Sequence, residues 1–261
     1  MPTLITLKSF LLEMTQTALI TGATSGIGLE IARILAATHH LVLVSRDKKK
    51  LEELKSSLRT TVHTFAIDLS TVGSARKVFD YVRKRRITVD VLVNNAGFGV
   101  SGESVGADVV KTYSMLHLNI ITLTELCMLF GKEMKERKRG FILNVASVAA
   151  YQPVPYLASY SASKSYVLNF SEALAQELSD YNVHVTCLCP GVTSSNFYAA
   201  MGRTARGASA RDVALFGVRA LFGRRMTVTF GLRNNIRVWL VRLLPRVVVA
   251  RLAKRLMRGF G

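Results

Sequence analysis

Residues 17–28 allow this chain one kind of beginning. An apolar run, Thr17 to Ile20, leads into Thr21-Gly22-Ala23-Thr24-Ser25-Gly26-Ile27-Gly28. A helical pattern follows, with Ile27, Ile31, Ile34 and Leu35 on one face. Strand, glycine-rich turn and helix in that order make a phosphate-binding unit. Glycines let backbone N–H groups approach a pyrophosphate, and the helix N-terminus favours its charge. The glycine spacing is T-G-x-x-x-G-x-G rather than G-x-G-x-x-G, but the strand before it and the helix after it still predict a dinucleotide-binding unit. Further along, near-continuous apolar blocks (Leu41 to Val44, Val89 to Val93, Val183 to Leu188) alternate with amphipathic stretches, about six times in all. Such blocks belong to strands covered by helices on both faces. The expected fold is α/β: a Rossmann-like, doubly wound parallel sheet of about seven strands in a single domain. A chain of 261 residues suffices for it.

The second constraint is chemical. Tyr160 and Lys164 lie four residues apart, so a helix puts phenol and ammonium on one face. A phenol with a pKa near 10 exchanges protons poorly at pH 7, and a neighbouring cation favours the phenolate. Such a pair is common on protein surfaces and acquires meaning only from its surroundings. Those surroundings are Asp68 after the strand-like Thr61 to Ile67, Asn94-Asn95-Ala96-Gly97 after Val89 to Val93, and Asn119 in a helical stretch. Ser147 ends the strand Phe141 to Ala146, and Pro190-Gly191 closes the strand Val183 to Cys189.

In this order and spacing the segments resemble the short-chain dehydrogenase/reductase family over nearly the whole chain. The resemblance implies an NAD(P)-dependent enzyme that interconverts a ketone and a secondary alcohol. It makes Tyr160 the general acid/base, and gives Lys164 two tasks: lowering the phenol's pKa and holding the nicotinamide ribose. Ser147 is implied to donate to the substrate oxygen, and Asn119 to hold a water that links Lys164 to solvent. Cofactor contacts are implied for Gly22, Thr24, Ser25, Gly26, Ile27 and Gly28, for Asp68 and Leu69 at the adenine, and for Asn95, Ala96 and Gly97 beside the ribose. Pro190, Gly191, Val192 and Thr193 are implied near the carboxamide.

Cofactor choice is read at the end of the second strand. Arg46 stands where NAD-preferring relatives carry an aspartate; a guanidinium holds a 2′-phosphate that a carboxylate would repel, and Ser45 is its neighbour. NADP(H) is therefore expected over NAD(H). The apolar residues of Tyr151 to Leu157 and of the loop Thr193 to Gly207, with Phe197, Tyr198 and Met201, suggest a lipophilic carbonyl substrate of 3-oxoacyl or steroid-like type.

Other classes find less support. Cys127, Cys187 and Cys189 make no disulfide framework, and no Cys/His cluster has zinc-site spacing; the expectation is an intracellular, cytoplasmic protein without a metal. Residues 1–14 form an apolar segment without the basic start of a secretory signal, too short to span a bilayer. It reads as a short leading helix, or as upstream of a start at Met14.

The formal net charge is +18, of which +13 lies from Arg203 onward: thirteen arginines and one lysine against Asp212. Residues 15–231 are assigned to the reductase domain and 232–261 to a basic helical extension interrupted at Pro245. In its last part Arg251, Lys254, Arg255 and Arg258 share one face, with Val248, Val249, Leu252, Ala253, Leu256 and Met257 around the rest. Packing on the enzyme or across a homo-oligomer (dimer or tetramer) is the first expectation, and peripheral contact with an anionic membrane the second. For nucleic acid, charge is the sole argument, and such binding is not expected. The alternative to an enzyme is a nucleotide-binding regulatory or membrane-surface adaptor with little turnover. Such a protein often loses the tyrosine or the lysine; this chain has both.

Overall fold

A computed structural model describes residues 16–194 and 207–258. Its centre is a seven-stranded parallel sheet of order β3-β2-β1-β4-β5-β6-β9. The strands are β1 (Thr17–Thr21), β2 (His40–Ser45), β3 (Val62–Ala66), β4 (Val91–Asn94), β5 (Gly140–Val145), β6 (Val183–Cys189) and β9 (Thr227–Thr229). A second, two-stranded pair joins β7 (Thr193–Ser194) to β8 (Ala208–Ser209). Every residue of β1 is buried, as are Leu41 to Val44 of β2, because helices cover both faces of the sheet.

The covering helices are α1 (Gly26–Leu35), α2 (Lys48–Ser57), α3 (Ser74–Lys84), α4 (Val109–Leu116), α5 (Leu123–Arg137), α6 (Ala158–Ser179) and α7 (Ala210–Phe222). They divide the core in two. One cluster lies around Leu92, Phe130, Ile142 and Val167, the other around Ile20, Ile31, Leu43 and Val213. A π-helical turn, His117–Thr122, joins α4 to α5, so the helical run is continuous over 109–137. It is the one run among the described residues long and apolar enough to cross a membrane; half of its apolar window is buried in the fold.

Strand order reverses between β1 and β4, each of which leaves the sheet in a different direction of winding. The crevice at their carboxyl ends is where a doubly wound sheet binds ligands. Past β9 the chain forms α8 (Leu232–Leu243) and α9 (Arg246–Arg258). Pro245 separates them as expected, since proline lacks the N–H that a continuous helix needs.

The packing expected of the last helix is only partly realised. Val249 and Ala253 are buried, as is Val238 of α8, but Val248, Leu252 and Leu256 are exposed. A pattern of apolar residues identifies a face without saying how much of it is covered. The leading segment 1–14 and the loop residues Phe197, Tyr198 and Met201 lie outside the described residues.

Candidate active site

A cleft of about 310 Å³ opens at the carboxyl ends of the central strands. Gly22, Ser25, Ile27, Arg46, Asn95, Ala96, Gly97, Ser147, Tyr160, Lys164, Pro190, Gly191 and Thr193 line it, together with Phe98, Val145 and Ala146. Residues from six parts of the sequence thus meet in one space.

Tyr160 and Lys164 come from the first turns of α6 and are almost fully buried. Lys164 Nζ lies 5.9 Å from the centre of the Tyr160 ring and donates to the Val145 carbonyl at 2.9 Å. Burial pulls its pKa down to about 8, against an opposing pull from Cys187 and Cys189. The two cysteines project from the same side of β6, their sulfurs 3.9 Å apart. Ser147 lies two residues past β5 and caps a short 3-10 turn, Val148–Tyr151, where its Oγ accepts from Ala149 N at 3.1 Å. A hydroxyl that accepts keeps its proton to donate.

The glycine turn is shaped as much by its neighbours as by what it binds. Gly22 has φ +66°, and a Cβ there would lie 2.8 Å from Asn95 Nδ2 and 2.9 Å from Ala96 Cα. A Cβ on Gly28 would collide with Asn95 Nδ2 and the Gly22 carbonyl oxygen. Asn95 Nδ2 donates to the carbonyls of Thr21 and Gly22 at 3.0 and 3.2 Å. Gly97 is similar: a Cβ there would stand 2.9 Å from Asn119 Oδ1. Gly26, with φ +55°, begins α1, whose N-terminus is aimed at the cleft where Ser25 and Ile27 line it.

Bare backbone, a ten-residue helix start and Arg46 in one crevice fit the phosphates and adenosine end of a dinucleotide. Thr24 and Ser45 pair through their hydroxyls at 2.7 Å, tying the turn to the end of β2. Asp68 is pushed up by partial burial but held below the usual carboxylate range by the N–H and hydroxyl of Ser70, with Arg46 adding to that effect. Arg46 therefore stands near an acid while lining the cleft.

Leu69, Val192 and Asn119 are not among the residues that line this cleft. Leu69 is in the core, and its carbonyl accepts from Thr122 and Ser74 hydroxyls at 2.7 and 3.1 Å; it does not line the cleft. Val192 uses its carbonyl to accept from Ala208 N at 2.9 Å. Asn119, buried in the π-helical turn, gives its Nδ2 to Phe98 O and Ser163 Oγ, both at 3.1 Å, and its Oδ1 accepts from Phe98 N at 3.3 Å. It ties the Gly97-Phe98 loop to the helix that carries Tyr160. A π turn is a common device for aiming one side chain out of helical register.

Comparison with known proteins identifies the family. Residues 16–205 match the family model described as short chain dehydrogenase. The chain is 30% identical over 259 residues to dehydrogenase/reductase SDR family member 7B of Xenopus laevis, covering 90% of this chain and 80% of that protein. The chain belongs to the short-chain dehydrogenase/reductase family. It is an NAD(P)-dependent oxidoreductase.

Among further relatives, a very-long-chain 3-oxoacyl-CoA reductase of Phaeosphaeria nodorum is 35% identical over 184 residues (66% of this chain, 53% of that protein). 17-beta-Hydroxysteroid dehydrogenase type 3 of mouse is 32% identical over 196 residues (70% and 62%). The chain thus spans between half and two thirds of the length of these two. A short-chain dehydrogenase from Sphingobium yanoikuyae, solved in complex with NADPH, superposes with a TM-score of 0.78 at 26% identity, over 89% of this chain and 97% of that one.

For a short-chain reductase, sequence reading passed over several residues that build the site. Thr21 Oγ1 donates to Val93 O at 3.2 Å and accepts from the backbone N–H groups of Asn95 and Ala96, each at 3.0 Å. Asn94 Nδ2 donates to Asn144 Oδ1 at 2.9 Å, and Asn144 Nδ2 to Ser171 Oγ at 3.0 Å, binding β4, β5 and α6 together. The signal was present: an asparagine inside an otherwise apolar strand has to find a buried partner.

Proposed function

We propose that this enzyme uses NADPH to reduce a ketone on a lipophilic small molecule of 3-oxoacyl or steroid-like type, and oxidises the matching alcohol in reverse. The observation that carries the reading is the meeting of Tyr160, Lys164 and Ser147 in the cleft that Arg46 also lines. When bound, the nicotinamide supplies the hydride. Ser147 donates a hydrogen bond to the carbonyl oxygen and orients it. Tyr160 gives its phenolic proton to that oxygen as the alkoxide develops. The Lys164 ammonium, with a pKa of about 8, is largely charged at pH 7 and stabilises the phenolate left behind. Asn119 positions the Gly97-Phe98 loop against the catalytic helix. Arg46 reads the 2′-phosphate and sets the preference for NADP(H). The lipophilic substrate is supported by the reductases of 3-oxoacyl-CoA and the hydroxysteroid dehydrogenase among the relatives. Turnover of assorted ketones with NADPH, followed by its absorbance, tests the reading. No turnover, with tight nucleotide binding, would favour the regulatory alternative.

Two surfaces support partners. On α4 to α6, Val110, Tyr113, Met128 and Tyr166 are exposed, which suits a second copy of the chain in a homo-oligomer. On α8 and α9, exposed Leu232, Ile236, Trp239, Leu243 and Val247 lie among seven arginines and one lysine, with no acid after Asp212. Two such surfaces would repel each other, whereas an anionic membrane matches both the apolar and the basic side chains. Co-sedimentation with phosphatidylserine vesicles at low and high salt tests this contact. A peripheral position on the cytoplasmic side also suits three free, buried cysteines.

A further inference from the structure

A second cavity, of about 250 Å³, lies between α8, α9 and the 3-10 turn that follows Ser147. Its walls are mainly Val148, Val238, Val241, Leu244, Val249 and Leu252. Four polar residues reach it: Asn234 Nδ2 donates to Phe230 O at 2.8 Å and the Tyr151 hydroxyl meets Thr229 Oγ1 at 3.4 Å, while Gln152 and Arg237 also line it. Against the aliphatic walls an occupant would find van der Waals contact, with hydrogen-bonding groups confined to these four residues.

The cavity adjoins the catalytic cleft at two points. Val148 of the cavity follows Ser147 of the cleft in sequence, and Asn234 of the cavity packs against the Cα of Gly191, a cleft residue. On its other side it reaches the exposed face, because Leu244 and Leu252 are at once wall residues and 42% and 44% exposed. Pockets for whole small ligands run to about 300–1,000 Å³, so this one fits part of a molecule.

We propose that this cavity holds the hydrocarbon chain of the substrate while its carbonyl lies at Tyr160 and Ser147. The inference rests on the reading of the enzyme as a reductase of lipophilic ketones and narrows it to chain-bearing ones. A linear chain suits these mainly aliphatic walls better than a hydroxylated ring system does, and its slender shape fits a space that opens at an exposed apolar face between two helices.

The test separates chain binding from catalysis. Binding of dansyl-labelled alkanoic acids of four to twelve carbons is followed by probe fluorescence, without nucleotide. Affinity should rise about three- to fourfold per added methylene, the factor expected from burying each one, and then level off once the cavity is full. Leu252→Trp, at the mouth, should abolish that rise while leaving NADPH affinity unchanged. Leu243→Ser, on the exposed face and outside the cavity, should leave it intact. Val241→Phe, which fills the cavity from the opposite wall, repeats the test should Leu252→Trp not fold. With ketone substrates, the filled variants should raise KM for long chains at least tenfold and leave short ones unaffected. Affinity independent of chain length in the wild-type protein, or a rise that survives in a folded filled variant, would overturn the proposal. Length-dependent binding by a protein that turns over no ketone would leave the chain site standing and remove the reductase reading instead.

Discussion

The catalytic cleft and the α8–α9 pair are built on opposite terms. In the cleft, Thr21, Asn95, Asn119 and Lys164 each hold a backbone group of a neighbouring element at 2.9–3.3 Å. In the helix pair, the side chains that reach back to the sheet end through hydrogen bonds are Asn234 and Asn235 of the first turn. Beyond that turn Val238, Val249 and Ala253 pack inward, while Trp239 and Leu243 face outward, 64% and 77% exposed. Hydrogen bonds are directional and fix atoms to fractions of an ångström; apolar contact is not directional and adapts to what lies against it. Chemistry needs the first kind of surface, and a greasy, variable partner is served by the second.

If that contrast is sound, substitutions in the cleft should change chemistry and those in the helix pair should change association. The sharpest case is Tyr160→Phe. It should keep the fold and NADPH binding and lower ketone turnover by about 10²- to 10⁴-fold, the range general acid catalysis supplies. Near-normal turnover would remove Tyr160 from its role.

Next comes the buried charge of Lys164. Its pKa in the folded protein, about 8, lies below the 10.5 of a free lysine, so the unfolded chain binds more protons between those values. Stability should therefore rise with pH across that window, by on the order of 3 kcal/mol from this group. Below pH 8 the buried ammonium lowers stability by its full amount. Denaturant titrations at pH 7 and pH 10 should show Lys164→Met lacking that part of the wild-type gain; identical gains would mean that the lysine is solvated.

Arg46→Asp is expected to cost NADP(H) about 2 kcal/mol, roughly 30-fold in dissociation constant, while giving NAD(H) a ribose partner. An unchanged ratio of the two constants would point to another reader of the 2′-phosphate. The smallest effect belongs to the helix pair. Trp239→Ser should weaken binding to phosphatidylserine vesicles about fivefold, near 1 kcal/mol of lost apolar burial, with turnover of a short ketone unchanged. Trp239 is the sole tryptophan, so a blue shift of its emission on adding vesicles reports the same contact, and a turnover defect in that variant would blur the distinction between the two regions.

Legibility follows the same division. The parallel strands are readable because most carry a short, largely apolar run, and β6 spans Val183–Cys189 as the sequence predicts. Strand ends are less so: Asn94 belongs to β4 and Ala146 lies beyond β5, since an asparagine paired inside the sheet looks like the start of a loop. Tyr160 and Lys164 are legible from their spacing together with the motifs that surround them in the sequence. Thr21 and Asn144 are not, because their partners lie 74 and 27 residues away. The partners of Leu69 are hidden for a related reason: the hydroxyl of Thr122, which donates to its carbonyl, lies 53 residues away. In the tail, hydrophobic periodicity found the faces of α9, but burial depends on what stands opposite, and nothing in the local sequence encodes that.

The collision waiting at Gly28 has a consequence for anyone who would transplant this nucleotide site. The obstacle there includes the Gly22 carbonyl, and at Gly22 it includes the Ala96 backbone, so trimming Asn95 to a smaller side chain would not make room for an alanine at either glycine. The portable module is consequently a pair of loops, 21–28 and 94–97, cut from places far apart in the chain. Grafted alone, the first would carry its amides into a new scaffold without the wall they lean on, and a library that varied the two loops independently would consist mostly of mismatched halves.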